Sequence, residues 1–332
     1  MSSFTQFCGI DVSKDRLDYQ ILGPGLEASG QRQTLLNECE AIRLHLEDAS
    51  FAQTLFILEF TGPYSAKPIH VLSGLNRAIS LVSPLQSHSY MNARGVTNKN
   101  DRQAAYCLAL MGQQMNLRLY QAPSVEVQKR KQLLSTVQAL KKQQRMLQNQ
   151  LHALAQLPVL EQGAQAALQA VLETVEAQLE PLQKQLYDPA QDEDFNEKKR
   201  LATSVVGIGD KTAEALLLVT NGLNGFDSPD QLSRFLGLTP QSHSSGSSVR
   251  RKGGITKFGS SDLRSLLYMC TRSAIRYNRT CREQYERLRA KGKPHKVAAV
   301  AVMHKLVIQI YACVTTKTDF DNNYQPPKKH IE

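Results

Sequence analysis

Phe7 to Leu22 reads FCGIDVSKDRLDYQIL, and its pattern decides the first part of the fold. Apolar and polar residues alternate on both sides of Ser13-Lys14-Asp15, the period-two signature of two strands joined by a turn. A third strand is expected near Gly30 to Thr34, and Leu35 to Leu46 carries helical spacing. Thr54 to Phe60 (TLFILEF) and Ala78 to Val82 (AISLV) are short apolar runs suited to buried strands. Helical stretches follow them, from Tyr64 to Ser73 and from Asp101 to Gly112. A leading hairpin and then strands alternating with helices predict a mixed sheet covered by helices, an α/β domain over residues 1–122.

The texture changes at Pro123. Leu133, Val137, Leu140, Gln144, Leu147, Leu151 and Leu154 step by four and three, a heptad seam with one polar interruption. After Pro158 the stepping returns at Leu168, Leu172, Val175, Leu179, Leu182 and Leu186. Two such seams predict a coiled-coil arm, either an antiparallel hairpin or two helices pairing with another subunit; a polar seam residue favours pairing, and so a homo-oligomer. With the acidic linker Asp188 to Glu197, the arm spans residues 123–197. A mostly helical domain is expected over 198–318 and a polar tail over 319–332. Two long helices are expected near its end, Ser261 to Lys291 and His295 to Thr315.

The 332 residues suffice for more than one core, and 41% hydrophobic content is ordinary for a globular chain. No run approaches the roughly 18 consecutive apolar residues of a membrane span, and Met1 to Gln6 does not resemble a signal peptide, so a cytoplasmic protein is expected. The six cysteines are scattered without a C-x-x-C pair, as small reduced hydrophobes would be. Net charge is +10, and it is localised: Ser245 to Val300 holds fourteen Lys or Arg against Asp262, Glu283 and Glu286. Such a basic end suggests a polyanion partner, the alternative being a merely solubilising surface.

Three carboxylates stand where carboxylates are costly. Asp11 ends the first strand, Glu59 closes an apolar strand and Asp101 opens a helix. An acid in a buried strand needs a partner or a cation, and three could hold the two Mg²⁺ ions that assist displacement at phosphorus. Singly, Asp101 could be an N-cap, and Asp11 or Glu59 could form a salt bridge. Further on, Leu201 to Leu218 reads as helix, a Gly207-Ile208-Gly209 hairpin, and a second helix with Lys211 near its start. A glycine hairpin between helices offers backbone N–H groups to phosphates, the helix-hairpin-helix mode of holding DNA, though G-x-G also makes ordinary turns. Arg272 and Arg276 lie among Leu266, Leu267 and Ile275, on a helix able to pack one face and meet phosphates with the other. Thr239 to Arg264 (TPQSHSSGSSVRRKGGITKFGSSDLR) has too little to bury to be core, and is read as a loop presenting a working surface.

These motifs resemble the DEDD transposases, the insertion-sequence recombinases that include Piv-type DNA invertases. The resemblance rests on GIDVSK, E-x-T-G-x-Y at Glu59 to Tyr64, SPLQ at Ser83 to Gln86, and KNDR at Lys99 to Arg102. Later come VVGIGDKTAEALL, FLGLTP at Phe235 to Pro240, S-S-G, G-I-T-K-x-G and Asp262-Leu263-Arg264, so nearly the whole chain is covered in order. The resemblance implies an RNase H/RuvC-like domain whose acids bind Mg²⁺, and a second-domain serine that joins DNA through a phosphoserine. The acids map onto Asp11, Glu59 and Asp101, and the serine onto Ser245, with Ser244 as rival. The family's fourth acid falls at Ala104, which suggests an engineered inactivating change, a decayed element, or a site working with three acids and water. Arg250, Arg251, Lys252, Lys257 and Arg264 follow the serine and could hold the scissile phosphate. His243 could shuttle a proton, although a lone histidine in a polar loop is more often solvated.

The implied function is recombination of double-stranded DNA, through a serine-linked intermediate with Mg²⁺ help. Members that move insertion sequences imply a structured non-coding guide RNA as a second partner; a Piv-like invertase needs none. A metal-dependent, structure-selective nuclease using water is the rival of another class. Assembly is expected to be a dimer or tetramer, with Ser245 brought to the carboxylates by folding or from another subunit.

Overall fold

In a computed structural model the described residues are 4–23, 33–96, 101–188, 192–245 and 249–324, without the side chains of 101–102 and 242–253. The chain divides into two compact units, Met1–Ala122 and Pro123–Glu332.

The first unit is a five-stranded mixed sheet. β1 (Gln6–Val12), β2 (Arg16–Leu22) and β3 (Gln33–Leu36) form an antiparallel meander, followed by α1 (Cys39–Leu46), β4 (Thr54–Glu59), α2 (Ala66–Gly74) and β5 (Ala78–Val82). α3 (Pro84–Ala93) and α4 (Asp101–Gln114) complete it. The strand order is β3-β2-β1-β4-β5, with β4 parallel to both β1 and β5. β4 lies inside the sheet, which is why TLFILE is apolar throughout and every residue of it is buried. Ile42 and Leu46 of α1 and Val71 and Leu72 of α2 pack on one face against Ile10, Phe56 and Leu58. Leu108 and Met111 of α4 pack on the other against Leu55, Ile57 and Val82.

The expected strands at the hairpin, at Thr54 and at Ala78 are all present, and two expectations change. The expected Leu35–Leu46 helix begins only at Cys39, because Leu35 and Leu36 pair in β3 with Leu17 and Arg16. α3 is an addition: its apolar residues lack helical periodicity, and its start is fixed by Pro84 and by a capping box in which Ser83 and Gln86 satisfy each other's backbone N–H.

Gly9 sets the distance between β1 and α4. A Cβ there would overlap the carbonyl oxygen of Ala105 and the amide nitrogen of Ala109. Gly9→Ala is therefore expected to destabilise the first unit by about 3 kcal/mol, since helix backbone cannot yield as a side chain can. A thermal melt reads this as a fall of roughly 10 °C or more.

Among the described residues the second unit is helical apart from one hairpin. It runs α5 (Val125–Leu154), α6 (Gln162–Tyr187), α7 (Glu193–Ser204), α8 (Asp210–Val219), α9 (Pro229–Phe235), β6 (Pro240–Ser245), β7 (Val249–Ile255), α10 (Ser261–Tyr277), α11 (Arg279–Ala290) and α12 (His295–Thr316). α5 and α6 pack as an antiparallel pair: Arg130 meets the Leu186 carbonyl at one end, and Gln144 donates to Glu176 at 2.9 Å further out. Val137, Leu147, Leu172, Leu179 and Leu186 of the two seams are buried. The root of this pair shares one core with α7, α8, α10 and α12. There the buried Arg130 guanidinium holds Glu214 Oε1 at 2.6 Å, and Lys199 holds the other oxygen at 2.8 Å. A buried carboxylate is tolerated with cations on both oxygens.

Three further expectations change in this unit. The acidic linker becomes helix from Glu193, capped by Asp192, because Phe195 is buried in the core. The single helix from Ser261 to Lys291 breaks at Asn278, whose buried amide donates to the Val206 carbonyl and Gln309 while its oxygen caps Cys281. The Thr239–Arg264 loop contains a two-stranded antiparallel sheet. α12 is, among the described residues, the one helix long and apolar enough to cross a membrane, but half of that window is buried, with Val302, Leu306, Val307 and Ile310 in the core. Five cysteines are buried and Cys39 is exposed; burial pushes the Cys281 thiol up to about 12.

Candidate active site

In the first unit the parallel register pairs Gly9 with Ile57 and Ile10 with Leu58, so the next step sets Asp11 beside Glu59. On the other side of β1, Asp11 is paired with Asp18 of β2. Paired residues share a sheet face, so three carboxylates form a row across three adjacent strands about 4.8 Å apart. It is the face that α4 covers, since Gly9 and Ile57 lie two residues before Asp11 and Glu59 and abut Ala105 and Gly112 respectively. α4 runs opposite to β1, Gly112 lying against Phe7 and Ala105 against Gly9, so its first turn lies at the Asp11 end of the sheet. Asp101 opens that turn, and Ala104, one helical step on, is buried.

Glu59 is 5% exposed and Asp18 8% exposed. Thr34 donates to Asp18 at 2.6 Å, and the Ser87 hydroxyl of α3 donates to Glu59 Oε2. Like charges in such a setting repel unless a cation or donors compensate. The donor set is entirely oxygen, which fits a hard divalent ion such as Mg²⁺. Among the described residues no three His, Cys, Asp or Glu are grouped tightly enough to hold one metal ion, and the Asp101 side chain lies outside that set.

The loops around these acids are tied together. Asn37, 3% exposed, donates to the Ser13 carbonyl at 2.9 Å and the Tyr64 carbonyl at 3.1 Å, joining the turn after Asp11 to the turn after Glu59. Gly62 has φ +77°, a region open to glycine, and Ser65 accepts from the Thr61 amide at 3.0 Å. Neither Asn37 nor Ser87 stood out in the sequence, because each acts across more than twenty residues of chain.

In the second unit Ser245 ends β6, opposite Val249, and Ser244 stands opposite Arg250. His243 is opposite Arg251 and Ser242 opposite Lys252, which distributes the cations along the returning strand. The side chains of Ser244, Ser245, Arg250, Arg251 and Lys252 lie outside the described set. The glycines of FLGLTP and ITKFG lock the base of the hairpin. A Cβ on Gly237 would overlap the Phe258 carbonyl, and one on Gly259 the Phe235 carbonyl. Between them Lys257 is exposed with φ +56°. Arg264 is engaged at the same junction, donating to the carbonyls of Phe258 at 2.9 Å and Gly259 at 3.1 Å, so its guanidinium closes the loop. Arg272 and Arg276 are exposed on α10, the latter 5.9 Å from the Tyr277 ring centre.

The Gly207–Gly209 turn links α7 to α8. Gly207 has φ +107° and abuts Ala274 of α10, a packing role. Gly209 caps α8 with open space around it, and exposed Lys211 has its ammonium 5.7 Å over the Tyr187 ring.

Residues 8–157 match a family profile described as transposase, of the DEDD type of IS110 elements, and residues 199–286 match one described as the transposase IS116/IS110/IS902 family. The chain is 27% identical over 333 residues to the pilin gene-inverting protein of Moraxella lacunata, covering 95% of this chain and 97% of that protein. It is 28% identical over 228 residues to the transposase for insertion sequence element IS1111A of Coxiella burnetii (strain RSA 493 / Nine Mile phase I), covering 61% of each. A solved RuvC structure from Thermus thermophilus is similar over 35% of this chain and 99% of its own, at 11% identity and a TM-score of 0.26.

Proposed function

The chain belongs to the family of DEDD-type insertion-sequence transposases and Piv DNA invertases, and from that premise we propose that it is a recombinase of double-stranded DNA. What supports the assignment is the parallel register of β1 and β4, with Ile10 opposite Leu58; continued by one residue, it brings Asp11 level with Glu59, and the first turn of α4, opened by Asp101, lies at the same end of the sheet. Asp11, Glu59 and Asp101 would hold Mg²⁺ in an RNase H/RuvC-like domain; the bound ion supplies charge neutralisation at the reacting phosphate. Ser245 is assigned the nucleophile. Its hydroxyl gives up a proton, its oxygen bonds to phosphorus, and the deoxyribose oxygen leaves and takes up a proton. Attack by that type of hydroxyl on the phosphoserine then rejoins DNA and returns the serine.

Arg250, Arg251, Lys252 and Lys257 are assigned to the phosphate, and Gly209 and Lys211 with exposed Arg272 and Arg276 to the duplex backbone. Gly207 and Arg264 join this set through structural positions: Gly207 packs on Ala274 in the turn, and Arg264 donates through Nη1 to carbonyls at the base of the hairpin. A structured guide RNA and a dimer or tetramer joined through the α5–α6 arm complete the proposal. Incubation with a plasmid carrying the DNA that flanks the gene tests it. Protein-linked ends and rejoined strands are expected; free ends without linked protein would replace recombination by hydrolysis. RNA that co-purifies with the protein and changes which plasmid site is joined would favour the guided mode over a Piv-like one.

Ala104 bears on how well the site works. A carboxylate at this buried position, one helical step from Asp101, is costly in the absence of a cation and favourable with one. Ala104→Asp is expected to raise Mg²⁺-dependent strand transfer about ten-fold, while lowering stability in chelator. Equal activity in the two proteins would show that three acids suffice.

A further inference from the structure

We propose that Ser87 is a positioning residue for Glu59, holding its carboxylate for cation binding; this rests on the assignment of Glu59 as a metal ligand. Ser87 is 1% exposed and lies on the buried side of α3, where its hydroxyl meets Glu59 Oε2, with the Pro84 carbonyl 3.1 Å away as its other neighbour. A glutamate has three side-chain torsions, and at the end of a strand it needs a fixed donor to select one arrangement. The donor must itself be fixed, and here it is. Pro84 and the Ser83–Gln86 capping box set the first turn of α3, so Ser87 follows from a helix start that cannot slide.

α3 lacks an apolar stripe, and most of its residues face outward. Ser87 and Met91 are its buried residues, while Tyr90 packs on the core beside α4 and its hydroxyl donates to Gln114 at 2.6 Å. The helix therefore both packs on α4 and delivers a hydroxyl to a buried acid. Groups that orient a metal-binding carboxylate commonly change metal affinity when removed, although they touch no metal themselves.

Mg²⁺ affinity of the full chain, measured by isothermal titration calorimetry, tests this. Ser87→Ala is expected to weaken binding about ten-fold, and Ser87→Thr, which keeps the hydroxyl, to stay within about three-fold of the parent. In strand transfer, Ser87→Ala should raise the Mg²⁺ concentration for half-maximal rate, with the rate at saturating Mg²⁺ little changed. A merely structural serine would lower the melting temperature without moving the Mg²⁺ midpoint. Parental affinity in folded Ser87→Ala would overturn the proposal. Should that variant not fold, Ser87→Gly also removes the hydroxyl without adding bulk, and parental affinity there would overturn it equally. Glu59→Gln separates the two levels. If Glu59→Gln also binds Mg²⁺ like the parent, the metal assignment of Glu59 is what fails; if only Glu59→Gln loses binding, the role of Ser87 alone is excluded.

Discussion

Ser245→Ala is expected to form no covalent complex with DNA and to lose strand transfer by at least about four orders of magnitude, ~5.5 kcal/mol in the barrier. Losses of this size follow when a covalent nucleophile is removed, because water lacks both its position and its attachment. Duplex affinity should stay within about two-fold, since the change removes one hydroxyl and leaves the basic strand β7 intact. Gel mobility shift and denaturing electrophoresis of the same mixtures check the two outcomes. The neighbour gives an internal control: Ser244 is paired with Arg250 and Ser245 with Val249, so the two serines occupy different stations of the hairpin. Linkage that survives Ser245→Ala and disappears in Ser244→Ala would transfer the assignment by one residue.

Asp11→Asn and Glu59→Gln are each expected to lower strand transfer by about three orders of magnitude, ~4 kcal/mol. Both replacements conserve shape. Their effect on stability should depend on Mg²⁺. In chelator, the amides keep the shape of the acids and can still accept a hydrogen bond, as Glu59 does from Ser87, so the melting temperature should stay close to the parent's. With Mg²⁺ the parent gains stability through binding, and the variants lose that gain. Melting curves with and without Mg²⁺ read the difference. A variant that is simply misfolded would lose stability in both conditions.

β1 is legible from its alternation of apolar and polar residues, β4 and β5 as short apolar runs, and the acids at the ends of β1 and β4 as charges in the wrong place. Their arrangement is not. That Asp11 lies between Glu59 and Asp18 depends on the register of two strand pairs, one of them closed across more than forty residues. Asp18 carries no signal of its own, because in sequence it is one polar residue in an alternating strand. α3 has no helical period to read, because its signal is a capping box. The hairpin of β6 and β7 reads as a loop in sequence because its strands are polar. Gly-Ser-Ser between SHSS and VRRK is nevertheless a short-turn signal that could have marked it. Gly237 and Gly259 belong to matching motifs whose purpose emerges only where two backbones cross.

The most direct measurement is peptide mapping by mass spectrometry of protein trapped on DNA in Mg²⁺. The expected result is a single nucleotide-bearing peptide spanning the β6–β7 hairpin, with the added phosphate on Ser245. Cleaved DNA with 5′ or 3′ ends produced by water, and no modified serine, would contradict a serine-linked recombinase and leave a metal-dependent nuclease in its place.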